Sequence, residues 1–130
     1  MDKGMPARFA DRLVPDTYRK DEPWSVCLVR AGRAVDWAAT LPDEHTDIPE
    51  GIAERLLALG RAYGLHELSA LDGAGQNRLS GQQAGSLADE VEFLMRVVDD
   101  PALREYATPL LEFATRCGRS RDMELLLEAP

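Results

Sequence analysis

The chain reads as an α+β domain in which three main helices pack against a small antiparallel sheet, and three observations predict this. Apolar residues recur at helical spacing in three separate stretches, around positions 52–63, 84–98 and 103–117. A β-branched, alternating run at Trp24-Ser25-Val26-Cys27-Leu28-Val29-Arg30 and a short apolar run at Met123-Glu124-Leu125-Leu126-Leu127-Glu128 have strand character. Capping and stop residues punctuate the helical stretches at the expected places. Every predicted strand is short, so an all-α arrangement stands as the alternative.

Residues 1–23 form an irregular N-terminal segment. Phe9 and Leu13 lie one turn apart and permit a short helix from Pro6 to Val14, which Pro15-Asp16 ends. After the Trp24 run, Ala31-Gly32-Arg33 reads as a turn, and Ala34-Val35-Asp36-Trp37-Ala38 reads as a returning strand or a short helix. Leu41 to Asp47 is a polar connector. Pro49 suits the first turn of a helix, with Asp47 and Glu50 near its positive end. Ile52, Leu56, Leu59 and Tyr63 make that helix one-sided, and Gly64 stops it. Leu65 to Leu71 is a short strand or helical turn, and Asp72 to Asn77 a Gly-rich loop.

Ser80 with Gln83 three residues on is a capping box, announcing a helix with Ala84, Leu87, Val91, Leu94 and Val98 on one face. Glu92 and Arg96 are spaced for an ion pair on its outside. Asp100 is the N-cap and Pro101 the first residue of the next helix, whose stripe is Leu103, Ala107, Leu110, Ala114 and Cys117. Pro109 should kink that helix or break it near Ala107, and Gly118 should close it. Met123 to Glu128 is the last strand.

At 130 residues the chain is one domain, residues 1–130, and its 45% hydrophobic and 29% charged content is that of a folded protein. No apolar run reaches the roughly 18–20 residues that span a bilayer. The opening Met1-Asp2-Lys3-Gly4-Met5-Pro6 has no apolar core behind a basic start, so no export signal is expected and the expected location is cytoplasmic. Cys27 and Cys117 are then expected to be free, buried thiols.

Charge excludes some functions. The net charge is −8 and is unevenly spread: residues 1–33 hold seven basic and five acidic side chains, residues 34–130 eight basic and eighteen acidic. Such a surface repels nucleic-acid phosphates and anionic membranes and favours a basic protein partner. The carboxylates concentrate in two places. Asp43, Glu44, Asp47, Glu50 and Glu54 lie in a stretch without Lys or Arg, and Asp89, Glu90 and Glu92 lie on the Ser80 helix. These eight residues are the candidate partner-binding groups, because self-repulsion in such clusters is relieved when a cation covers them.

No catalytic constellation accompanies them. His45 is the one histidine in its acidic stretch, short of the three or four ligands a metal centre needs. His66 and Glu67 are adjacent, so on a strand they would point to opposite faces. Gly73-Ala74-Gly75-Gln76-Asn77-Arg78 begins like a dinucleotide loop but has Arg in place of the third glycine. Asp72 does not open a calcium loop, since Asn77 and Gln83 stand where Gly and Glu are needed. Arg116, Arg119 and Arg121 suit a helix C-terminus and are too few for a nucleic-acid site. No enzyme activity, metal or cofactor is therefore expected.

Leu79-Ser80, Leu87, Glu90-Val91 and Leu94, then Asp100-Pro101 and Leu103, then Cys117-Gly118 before the final strand, resemble the pattern of several families of bacterial immunity proteins. That resemblance implies a small cytoplasmic protein that binds and neutralises a cognate toxin domain. Two readings from other classes compete with it. One is a small metal-dependent enzyme using His45 or His66. The other is an oligomeric regulatory or structural protein using its helical apolar surface.

Overall fold

The computed structural model describes residues 22–33 and 44–130. Four strands and four helices follow in the order β1 (Pro23–Arg30), β2 (His45–Pro49), α1 (Glu50–Ala62), α2 (His66–Ala70), β3 (Gln76–Leu79), α3 (Gly81–Val97), α4 (Pro101–Arg119) and β4 (Met123–Glu128). The sheet is antiparallel with strand order β2-β1-β4-β3. This is the expected α+β architecture, with the short helix α2 added to the three long ones. The suggested helix at residues 6–14 and the segment at residues 34–38 lie outside the described residues.

β1 alternates as its sequence demands. Trp24, Val26 and Leu28 point into the helix-side core, while Cys27 and Val29 lie on the opposite face with Leu126. β4 is central, between β1 and β3. Its three leucines, Leu125, Leu126 and Leu127, are at most 1% exposed, so both faces of this strand are covered. That explains why the strand reads as a continuous apolar run rather than an alternating one.

Two strands were not anticipated. The polar connector ends in β2, because Ile48 inserts into the core opposite Trp24 while Asp47 points the other way. Pro49 is consequently the last residue of β2, and α1 begins at Glu50. The Gly-rich loop likewise runs into β3, where Asn77 and Leu79 are buried. Both strands are four or five residues long with one or two buried apolar side chains each, too little for a period-two signal.

The helices follow their stripes with small shifts. In α1 the buried face is Ile52, Ala53, Leu56, Leu57 and Gly60. Leu59 is half-buried and Tyr63 is 49% exposed, its ring edge-on to Phe93 at 5.5 Å. Gly64, at φ 68°, takes the left-handed conformation that stops the helix. α3 is capped by Ser80 and Gln83 in a complete capping box. Glu92 and Arg96 make no ion pair, and both are exposed.

α4 passes through Pro109 as one helix, so the expected break is absent. The ring removes a hydrogen bond on a half-buried position, while Ala107 and Leu110 on either side are buried at 1% exposure or less and hold the helix to the core. Gly118 does not end α4, which continues to Arg119. It is where α4 meets α3: a Cβ placed there would lie 2.9 Å from the Gly85 Cα, so the two backbones touch. Glycine at this crossing reflects helix packing rather than a stop.

Candidate functional site

The first acidic cluster sits where β2 passes into α1. Asp47 is exposed on the strand, and His45, two residues earlier on the same face, places Nε2 3.1 Å from Asp47 Oδ1. Glu50 opens α1 and Glu54 follows one turn later on the same helix face, half-buried and exposed respectively. Glu44 is half-buried just before β2, and Asp43 lies outside the described residues. The nearest cation in sequence, Arg55, turns away from this surface to form an ion pair with Asp100. Asp100 is 1% exposed, and its Oδ1 also accepts the N–H groups of Ala102 and Leu103 as the cap of α4. Among the described residues, the corner carboxylates thus pair with no Lys or Arg, and the guanidinium next to them in sequence is spent on Asp100.

The second cluster divides. Asp89 and Glu92 are exposed, but Glu90 is half-buried. Glu90 Oε2 and Oε1 accept the N–H groups of Glu67 and Leu68, each at 2.9 Å. Those donors belong to the first turn of α2, whose own preceding residue, Leu65, supplies no side-chain cap. Glu90 therefore fastens α2 to α3. Successive helical residues differ by about 100° in direction, which separates Glu90 from its two neighbours.

Asp89 and Glu92 instead line an open groove of about 500 Å³ between α3 and α4, whose other wall includes Thr115 and Arg119. It continues into a second depression of about 390 Å³ bordered by Leu111, Glu112 and Arg116. Gly85 and Gly118, where the two helix backbones touch, also line this groove. Both signs of charge line it, whereas the described charged side chains of the β2–α1 corner other than His45 are carboxylates.

A further carboxylate, Glu124, lies outside both clusters and has no signal in the sequence. Its Oε1 accepts Gly32 N–H at 2.9 Å and Arg78 Nε–H at 2.8 Å. The hydrogen bond from Gly32, followed by that from Arg78, holds its pKa below the ordinary value. Arg78 also donates to the carbonyls of Arg30 and Arg33, tying β3 to the turn after β1. No spacing rule joins positions this far apart; only the sheet order does.

The remaining candidates have local explanations. Asn77 Oδ1 accepts Asp72 N–H at 2.7 Å, its Nδ2 donates to Asp72 O at 3.0 Å, and Asp72 Oδ1 accepts Ala74 N–H at 2.9 Å. The Gly-rich loop is thereby folded onto its own polar groups rather than opened as a phosphate cradle. His66 is exposed at the start of α2. Cys27 and Cys117 are free and buried. Burial, with the charge of Glu124 second, pushes the Cys117 thiol up to about 11. Among the described residues, no group of three or more His, Cys, Asp or Glu side chains is arranged to hold a metal ion. No described helix is long and apolar enough to cross a membrane.

No protein-family model, curated protein or solved structure matches this chain.

Proposed function

We propose that the protein is a small acidic binding module that recognises a basic protein partner, and that it acts as an immunity-type inhibitor neutralising a bacterial toxin domain. The observation that carries this reading is the corner formed by β2 and α1. Glu44, Asp47, Glu50 and Glu54 follow one another there in a stretch of sequence without Lys or Arg, none of them pairs with a described Lys or Arg, and Arg55 is drawn into the pair with Asp100. Four carboxylates so placed repel one another and attract a cationic surface, which accelerates encounter and selects the partner by charge. Asp89 and Glu92 form a secondary acidic surface. Glu90 is assigned to the scaffold.

Inhibition in this reading is stoichiometric: the acidic corner covers the cationic working surface of the toxin, and no bond is made or broken. Affinity capture from the native cell, followed by reconstitution with the captured protein, tests it. The expected result is a complex with a basic toxin domain whose activity is lost on binding. Asp47→Lys with Glu50→Lys should slow association by about tenfold or more at low salt. An unchanged association rate and salt dependence would remove this surface from the interface.

A further inference from the structure

Residues 65–74, which carry α2, are fastened to the rest of the fold at few points. Leu65 N–H donates to Gly60 O at 2.7 Å. Glu90 accepts the N–H groups of Glu67 and Leu68. Asn77 accepts Asp72 N–H through Oδ1 and donates to Asp72 O through Nδ2. Among the described residues, no other hydrogen bond or ion pair crosses this boundary.

The helix itself is five residues long, too short to persist by its own hydrogen bonds. Its apolar anchors are Leu68 and, just beyond the helix, Leu71, the two buried side chains of the segment. Both leucines line an apolar void together with Leu56, Leu57 and Leu110, so their packing there is incomplete. Gly64, in the left-handed conformation, joins the segment to α1, and Gly73 and Gly75 lie at its far end.

The facing surface of α1 is shaped to receive α2. Gly60 is buried in α1, and a Cβ placed there would lie 2.5 Å from the Leu68 Cβ. Alanine at this position would favour α1 as a helix, so glycine here serves the closure of α2 at the expense of α1.

We propose that residues 65–74 form a strap that opens and closes as one unit over an otherwise intact fold, with Glu90 as its catch and Gly60 as its seat. Opening releases both bonds to Glu90 together, lifts Leu68 from Gly60 and withdraws Leu68 and Leu71 from the void.

Native-state amide exchange of the whole protein tests this. The amides of Glu67, Leu68, Ser69 and Asp72 should share one opening constant, about tenfold or more above those of Leu87 and Leu94 in α3. Glu90→Gln should raise the shared constant about fivefold, since a neutral amide oxygen accepts more weakly than a carboxylate and leaves one donor unmatched. Glu92→Gln should leave it unchanged. Gly60→Ala should raise it about tenfold or more, because the added methyl meets only the closed strap. The amides of Leu56 and Leu57 should exchange no faster in that variant.

Strap amides with the opening constants of Leu87 and Leu94 overturn the proposal, since the segment then opens only with the whole fold. Constants that differ among the strap amides, or that respond one at a time to Glu90→Gln, overturn it as well, because they describe fraying. So does a Gly60→Ala protein in which α1 and α3 exchange faster by the same factor as the strap. Should Gly60→Ala fail to fold, the shared constant and its response to Glu90→Gln decide.

Discussion

The acidic corner at β2–α1 and the acidic run on α3 look alike in sequence and differ in what the fold asks of them. At the corner, Asp47 and Glu54 are exposed, and the neighbouring Arg55 serves the interior. On α3, the middle carboxylate of the run is consumed by the backbone of α2, leaving Asp89 and Glu92 outside. Charge density alone does not mark a binding surface. A carboxylate is available to a partner only where no helix end or guanidinium of its own chain has already taken it.

Substitutions should separate the committed carboxylates from the available ones. The largest loss is expected for Asp100→Ala, which removes the cap of α4 and strands Arg55. We expect about 3 kcal/mol in denaturant unfolding, at the low end for a broken buried pair because Arg55 can reach solvent. Glu90→Ala should follow at about 2 kcal/mol, since two backbone donors lose charged acceptors, and amide exchange at Glu67 and Leu68 should speed up. If Glu90→Ala weakened partner binding without loss of stability, the contrast between the two clusters would fail. Asp47→Lys with Glu50→Lys should change stability by less than about 0.5 kcal/mol.

Two further measurements sharpen the contrast through titration. The folded pKa of Glu124 is depressed, so its contribution to stability is present above the ordinary value of 4.5 and is lost as pH falls through the folded value. Unfolding measured across that acidic range should show a shallower loss in Glu124→Gln than in the unmodified protein. For Cys117 the shift is upward, so stability falls as pH rises between 9.0 and about 11, and Cys117→Ser should weaken that dependence. At neutral pH neither buried cysteine should react with a thiol reagent until the protein unfolds.

Much of this fold is legible in the sequence because its long helices carry their own instructions. Ser80 with Gln83, and Asp100 with Pro101, fix two helix starts through local hydrogen bonds, and the stripes from Ala84 to Leu94 and from Leu103 to Cys117 fix the buried faces. The edge strands escape because a single residue such as Ile48 commits β2 to the core, and its partner Trp24 is remote in sequence. Gly118 misleads for a related reason: a glycine at a helix end resembles a stop until the facing Gly85 is placed. Of the candidate site, the corner carboxylates can be named from sequence, but the withdrawal of Arg55 to Asp100 and of Glu90 to α2 are tertiary events with no local signature.

The placement of β4 bears on how the chain reaches this fold. It is the last of the described elements in sequence and lies between β1 and β3, which do not border each other. The hydrogen bond from Gly32 to Glu124 spans 92 positions. The α3–α4 hairpin can form from neighbours in sequence, whereas the sheet must first close a loop of nearly the whole described chain. Of these described elements, synthesis delivers the helices before the strand that joins β1 to β3. Until β4 arrives, β3 has no described strand beside it and β1 has only β2. A nascent chain still without β4 would leave the backbone edge of β1 that pairs with it open, making the closing strand the step at which folding and aggregation compete.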